Sequence, residues 1–153
     1  MKGIPDKCQE KISYSKILLE EKRSQITFDN PDGIAVIKVA VDGCVISKDD
    51  PSLRCDYVLL IPKRGNPKEV YIEIYVELKG CGVNHAVDQI KATIKRLSTN
   101  PAKLIKLCFI ISTRVPKQGT DIQKLQVQFR KDFNSSLRVK NTPDTYNLKD
   151  LGI

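Results

Sequence analysis

Asp56, Glu77 and Lys79 are the residues of this chain whose types and spacing suit a chemical task. Glu77 and Lys79 stand two apart near the end of residues 70–79, VYIEIYVELK, whose strict alternation reads as a strand. Side chains two apart on a strand face the same way. Asp56 lies early in the preceding run, residues 53–62, LRCDYVLLIP. The segment KRGNPKE between the runs turns one back on the other, which brings Asp56 and Glu77 near each other across a strand pair. Two carboxylates and an ammonium then converge where Gly80-Cys81-Gly82 breaks the strand. Hard carboxylate oxygens suit Mg²⁺, with Mn²⁺ able to substitute. Such a metal polarises a phosphate and lowers the pKa of a bound water. The lysine can orient or deprotonate that water, or offset charge as a pentavalent phosphorus forms. Hydrolysis of a phosphodiester is the reaction this set suits.

The elements that must position these residues follow from the rest of the chain. Residues 9–23 have helical spacing, with Tyr14, Ile17, Leu18 and Glu21 on one face. DNPDG is a turn signal, and IAVIKVAV (34–41) is β-branched and reads as a strand. Asp42-Gly43 signals a hairpin with Cys44-Val45-Ile46 as its return. After the glycine break, Asn84 can cap a helix running to about Ser98, with Val83, Val87, Ile90, Ile94 and Leu97 as its apolar stripe. KLIKLCFIIST (103–113) reads as a buried strand. QKLQVQFRKDF (123–133) reads as a helix with Leu125 and Phe129 or Phe133 inward. The last 15 residues yield no assignment. The order α-β-β-β-β-α-β-α predicts one α/β domain over 1–153: a central mixed β-sheet flanked by helices on both faces.

Charge points to an anionic partner. The chain carries +8, and residues 81–153 hold all of that excess, with 13 Lys/Arg against 5 Asp/Glu. Residues 1–80 balance at 13 of each. Nucleic acid suits this better than a membrane surface. Arg114, Lys117, Lys124, Arg130, Lys131, Arg138 and Lys140 are candidates for phosphate contacts. Five cysteines without a CxxC pair, beside the lone His85, argue against a zinc site. Cys44, Cys55 and Cys108 lie in apolar runs and read as small core residues, which favours a reducing compartment. The N-terminus shows no apolar signal segment and no run reaches membrane-helix length, so a cytoplasmic protein is expected.

Arg54-Cys55-Asp56-Tyr57 and Glu77-Leu78-Lys79-Gly80, in strand–turn–strand–helix order, resemble the PD-(D/E)XK nuclease superfamily, which includes many restriction enzymes and Holliday junction resolvases. The resemblance covers about residues 10–113, with Cys55 where the motif has proline. It implies a restriction-endonuclease-like sandwich and a Mg²⁺-dependent endonuclease acting on DNA. Asp56, Glu77 and the backbone carbonyl of Leu78 would hold the metal. It also implies an extra acid on the first helix, with Glu10, Glu20 and Glu21 as candidates and Glu21 favoured. A polar residue on the helix after the lysine would be Gln89, in an orienting role. Cutting both strands of a duplex implies, by analogy, a homodimer. A resolvase or repair enzyme, a restriction or homing enzyme and a defence nuclease all remain open.

Plainer readings stand beside these. Asp56 could be a turn acid paired with Arg54. Glu77, Lys79 and Glu73 could form the solvated face of an edge strand, Glu73 lying about 13 Å back from Glu77 at strand rise. Lys63, Arg64 and Lys68 could reach a DNA groove or form a solvated turn. His85, near the start of the helix after Lys79, could act in catalysis but reads rather as a phosphate contact or a bystander. A non-catalytic nucleic-acid-binding module of the same fold is the alternative function. An interaction domain exposing Tyr71 and Tyr75 is a third.

Overall fold

The computed structural model describes residues 1–79, 82–115 and 119–152, and only the backbone of residues 79, 119 and 120. Its strands are β1 (Gln9–Ile12), β2 (Lys16–Glu21), β3 (Ser24–Asp29), β4 (Val36–Ala40), β5 (Tyr57–Lys63), β6 (Asn66–Lys79), β7 (Ile105–Ser112), β8 (Ser135–Asn141) and β9 (Asp144–Asn147). Helix α1 (Val83–Leu97) joins β6 to β7, and α2 (Gly119–Phe133) joins β7 to β8. Six strands form a mixed sheet in the order β1-β4-β5-β6-β7-β8. It is antiparallel from β1 to β6 and parallel from β6 to β8. A small sheet, β2-β3-β9, lies apart from it.

Both helices cover one face of the main sheet, which corrects the expectation of helices on both. The two crossovers step the same way across the sheet, and right-handed connections then place both helices on the same side. Val87, Ile90, Ile94, Phe129 and Phe133 join Val58, Leu60 and Tyr75 in one core there. The opposite face presents Leu59, Ile61, Ile74 and Val76, and Ile17, Leu19, Ile26 and Phe28 of the small sheet close over it.

Strand β1 of the main sheet and β2 of the small one replace the helix expected over 9–23. The deciding pattern is the alternation in β2: Ile17 and Leu19 are buried, while Lys16, Leu18 and Glu20 are exposed. A short apolar run fits either period until a partner strand selects one. Buried Asn30 fixes the turns that flank this sheet. Its amide donates to the Tyr14 and Ile34 carbonyls at 3.1 and 2.9 Å, and its oxygen accepts from the Ile34 N–H at 2.9 Å.

Two further expectations change. Residues 44–46 make a compact turn with an isolated Asp42–Ile46 bridge, not a returning strand. A disulfide between Cys8 and Cys44 ties this turn to the N-terminal segment, so Cys44 is not a free core thiol. Cys55 and Cys108 are free and buried, as read, but the cysteine argument for a reducing compartment weakens. Gly82, at φ +86°, takes the N-cap position of α1, so Asn84 does not cap it. No helix of the described residues is long and apolar enough to cross a membrane.

Candidate active site

Asp56 and Glu77 face each other across β5 and β6. The strand register ends at Tyr57–Val76, and Asp56 and Glu77, each one step outward, share a side-chain hydrogen bond. The Asp56 N–H donates to the Val76 carbonyl at 3.2 Å, one residue before β5 formally begins. The Asp56 carbonyl accepts from the N–H groups of Val41 and Asp42 at 3.0 and 3.4 Å. Its side chain accepts from the Leu78 N–H at 2.8 Å. In a strand the N–H and C=O of one residue point the same way, so the Leu78 carbonyl also lies on the Asp56 side of β6. Asp56 is 9% and Glu77 2% exposed, and β6 lies between β5 and β7. Glu77 is therefore not on a solvated edge strand.

The electrostatics suit a cation. Burial pushes the Asp56 carboxyl above the ordinary carboxylate value; hydrogen bonds from Leu78 and with Glu77 pull it back, and the charges of Glu21 and Asp42 push it up again. A hydrogen bond to a charged group contributes about 1.5–3 kcal/mol, less than an unpaired buried carboxylate costs. The net effect is a destabilised anion. Arg54 does not relieve it. Its guanidinium pairs with Asp42 at 3.0 Å and bonds the carbonyls of Asp50 and Ser52. The plainer reading of an Asp56–Arg54 pair is thus not what the structure contains.

Helix α1 holds the segment leading into Asp56. Gln89 Nε2 donates to the Arg54 carbonyl at 3.0 Å. The Cys55 N–H donates to Thr93 Oγ1 at 2.8 Å, and that hydroxyl donates to the Gln89 carbonyl at 2.8 Å. Gln89 thus anchors the loop before Asp56, and its own Oε1 is buried without a hydrogen-bond partner among the described residues. Sequence reasoning missed Thr93. The signal was its position four residues after Gln89, which puts both on one helix face.

Glu21 reaches this site from β2 rather than from a helix. It shares the inward side of that strand with Ile17 and Leu19, not with Leu18, and its charge is felt at Asp56 and Tyr57. Glu20 points outward on the same strand, and exposed Glu10 lies on the edge strand β1, paired with Lys38. Lys79 ends β6, two positions beyond Glu77 and in register with Ser112. Its side chain, with Gly80 and Cys81, lies outside the described residues, as does Lys117.

No family model, no curated protein and no solved structure matches this chain. The site therefore rests on its own geometry. Among the described residues, no three His, Cys, Asp or Glu side chains form a group that could hold a metal ion. The fit to Mg²⁺ rests instead on two facing carboxylates, a backbone carbonyl beside them, and the cost of burying Asp56 as an anion.

Other candidates fall elsewhere. Lys63, Arg64 and Lys68 lie at or beside the β5–β6 turn, at the end of the sheet away from Asp56. Tyr75 is fully buried, which removes the Tyr71–Tyr75 interaction patch. Glu73 is also fully buried; its carboxylate accepts from Tyr75 Oη at 3.0 Å and Ser98 Oγ at 2.7 Å. It is a structural carboxylate, not part of a solvated face. Arg138 lies over the rings of Phe109 and Tyr146, at 5.8 and 5.2 Å to their centroids, so it is not a free phosphate contact. His85 is exposed on the first turn of α1.

Proposed function

We propose that this chain is a metal-dependent endonuclease acting on DNA phosphodiesters, with a fold of the restriction-endonuclease type. The observation that carries the reading is the buried Asp56–Glu77 pair, brought into side-chain hydrogen-bond contact at the mouth of β5 and β6. Asp56, Glu77 and the Leu78 carbonyl would hold Mg²⁺, with Mn²⁺ able to replace it. When bound, that ion supplies Lewis acidity toward the phosphate and a more acidic water. The Leu78 N–H fixes the Asp56 carboxylate, and Gln89 and Thr93 fix the backbone that carries it. Lys79, on the same strand face position as Glu77, would orient the attacking water or receive its proton. Glu21 would adjust the charge around Asp56, and Gln89 Oε1 would offer an acceptor to the ammonium or the water. A DNA substrate fits a cytoplasmic setting, and cutting both strands fits a homodimer.

The test is incubation of supercoiled plasmid and branched DNA with Mg²⁺, Mn²⁺ or EDTA. The wild type is expected to cut only with metal, and Lys79→Ala and Asp56→Ala are each expected to lower the rate at least about 10²-fold, the scale of a general base or oriented group. Salt-sensitive DNA binding with no cutting by the wild type would instead establish the non-catalytic nucleic-acid-binding module.

A further inference from the structure

The β2–β3 turn carries two cations in an unusual setting. Glu21 pairs with Ser24, leaving Lys22 and Arg23 as a two-residue turn. Lys22 sits at φ +52°, in the left-handed region that two-residue turns normally fill with glycine, asparagine or aspartate. Lysine gains nothing there from local hydrogen bonding, so its backbone strain calls for another return. Both side chains are exposed, and neither has a hydrogen bond or ion pair among the described residues.

A chain of hydrogen bonds holds this turn at the candidate active site. On the β2 side, Glu21 lies close enough to Asp56 and Tyr57 for its negative charge to push the pKa of both groups up. On the β3 side, the Gln25 N–H donates to Thr142 Oγ1 at 2.9 Å, and the Thr142 N–H donates to the Ser112 carbonyl at 2.9 Å. Ser112 is the register partner of Lys79. The turn is therefore fixed at the end of the main sheet where β6 delivers Glu77 and Lys79. Around it stand Glu20, Glu21, Asp42 and Asp56, whose charges would repel an approaching phosphate.

We propose that Lys22 and Arg23 form a phosphate-backbone clamp that seats duplex DNA beside the Asp56–Glu77 pair, an inference that rests on the nuclease reading. The cations offset the repulsion of the acids for the phosphates flanking the cut. The strained turn keeps them at that position.

The test is binding of a labelled DNA duplex, in Ca²⁺ to prevent cutting, over a range of salt concentrations. It compares the wild type with Lys22→Gly, Arg23→Gln and, at the far end of the sheet, Lys68→Gln. Each clamp variant is expected to weaken binding and to lower the slope of log affinity against log salt by about 0.9, the release of one phosphate contact. Lys68→Gln is expected to leave the slope unchanged. Lys22→Gly should melt no lower than the wild type, since glycine accepts the turn, so weakened binding would not reflect misfolding. Wild-type binding with unchanged slopes in both clamp variants would overturn the clamp alone. A wild type that fails to bind DNA would overturn the clamp and the nuclease reading together.

Discussion

Asp56 is a carboxylate held where an anion is poorly solvated. Burial and its acidic neighbours raise its pKa, so the native state keeps the proton to a higher pH than the unfolded chain does. Fewer protons are then bound by the unfolded state, and stability falls as pH rises from the ordinary carboxylate range through the raised value. Asp56→Asn keeps an acceptor for the Leu78 N–H and removes the charge. In metal-free protein it is expected to unfold at an equal or higher urea midpoint than the wild type, with the gap widening as pH rises through that window. It should also lose cleavage. A lower midpoint at neutral pH would show that the carboxylate is stabilising, against the account of a site strained to receive a cation. The residues of this pair were legible in the sequence because a hairpin and a two-residue strand period fix their relation without further contacts. Glu73 was not. Its spacing is that of Glu77, and only the end of α1, delivering Ser98, sets it apart as a structural acid.

The segment leading into β5 and helix α1 meet through side-chain-to-backbone bonds that no hydrophobic pattern announces. Thr93 receives the buried Cys55 N–H, and Gln89 holds the Arg54 carbonyl. Thr93→Val preserves shape and leaves that N–H without its partner. It is expected to cost about 1–3 kcal/mol, measured as a drop in urea midpoint. Activity should fall with it, because the segment entering Asp56 loosens. A stability loss with unchanged turnover would mean that α1 does not position the site. The long apolar elements β6, α1 and β7 could be read from periodicity alone. The small sheet could not, because the pattern in 16–21 is six residues long and the pairing of β3 with β2 on one side and β9 on the other is set by tertiary contact. Glu21 thus reaches the site on an element of the opposite type from the one expected.

Across the whole molecule, the positive charge of the second half is divided between surface and interior. Lys106 is almost fully buried and donates to the carbonyls of Asn100, Leu104 and Phe133, while Arg138 lies against two aromatic rings. Charge counted along the sequence cannot separate these from Arg114, Lys124, Arg130, Lys131 and Lys140, which are exposed. Burial decides which cations remain free to meet phosphate. The main sheet gathers the four elements of the site at one end: β5 and β6 bring the acids, α1 braces them, and the β2–β3 turn stands beside them with Lys22 and Arg23. In the proposed function Asp56 and Glu77 together hold a divalent ion. That joint role is tested most directly by titrating Mn²⁺ into the protein and reading free ion by electron paramagnetic resonance. Binding is expected in the wild type and is expected to be lost in both Asp56→Asn and Glu77→Gln. Undiminished binding in both variants would contradict it.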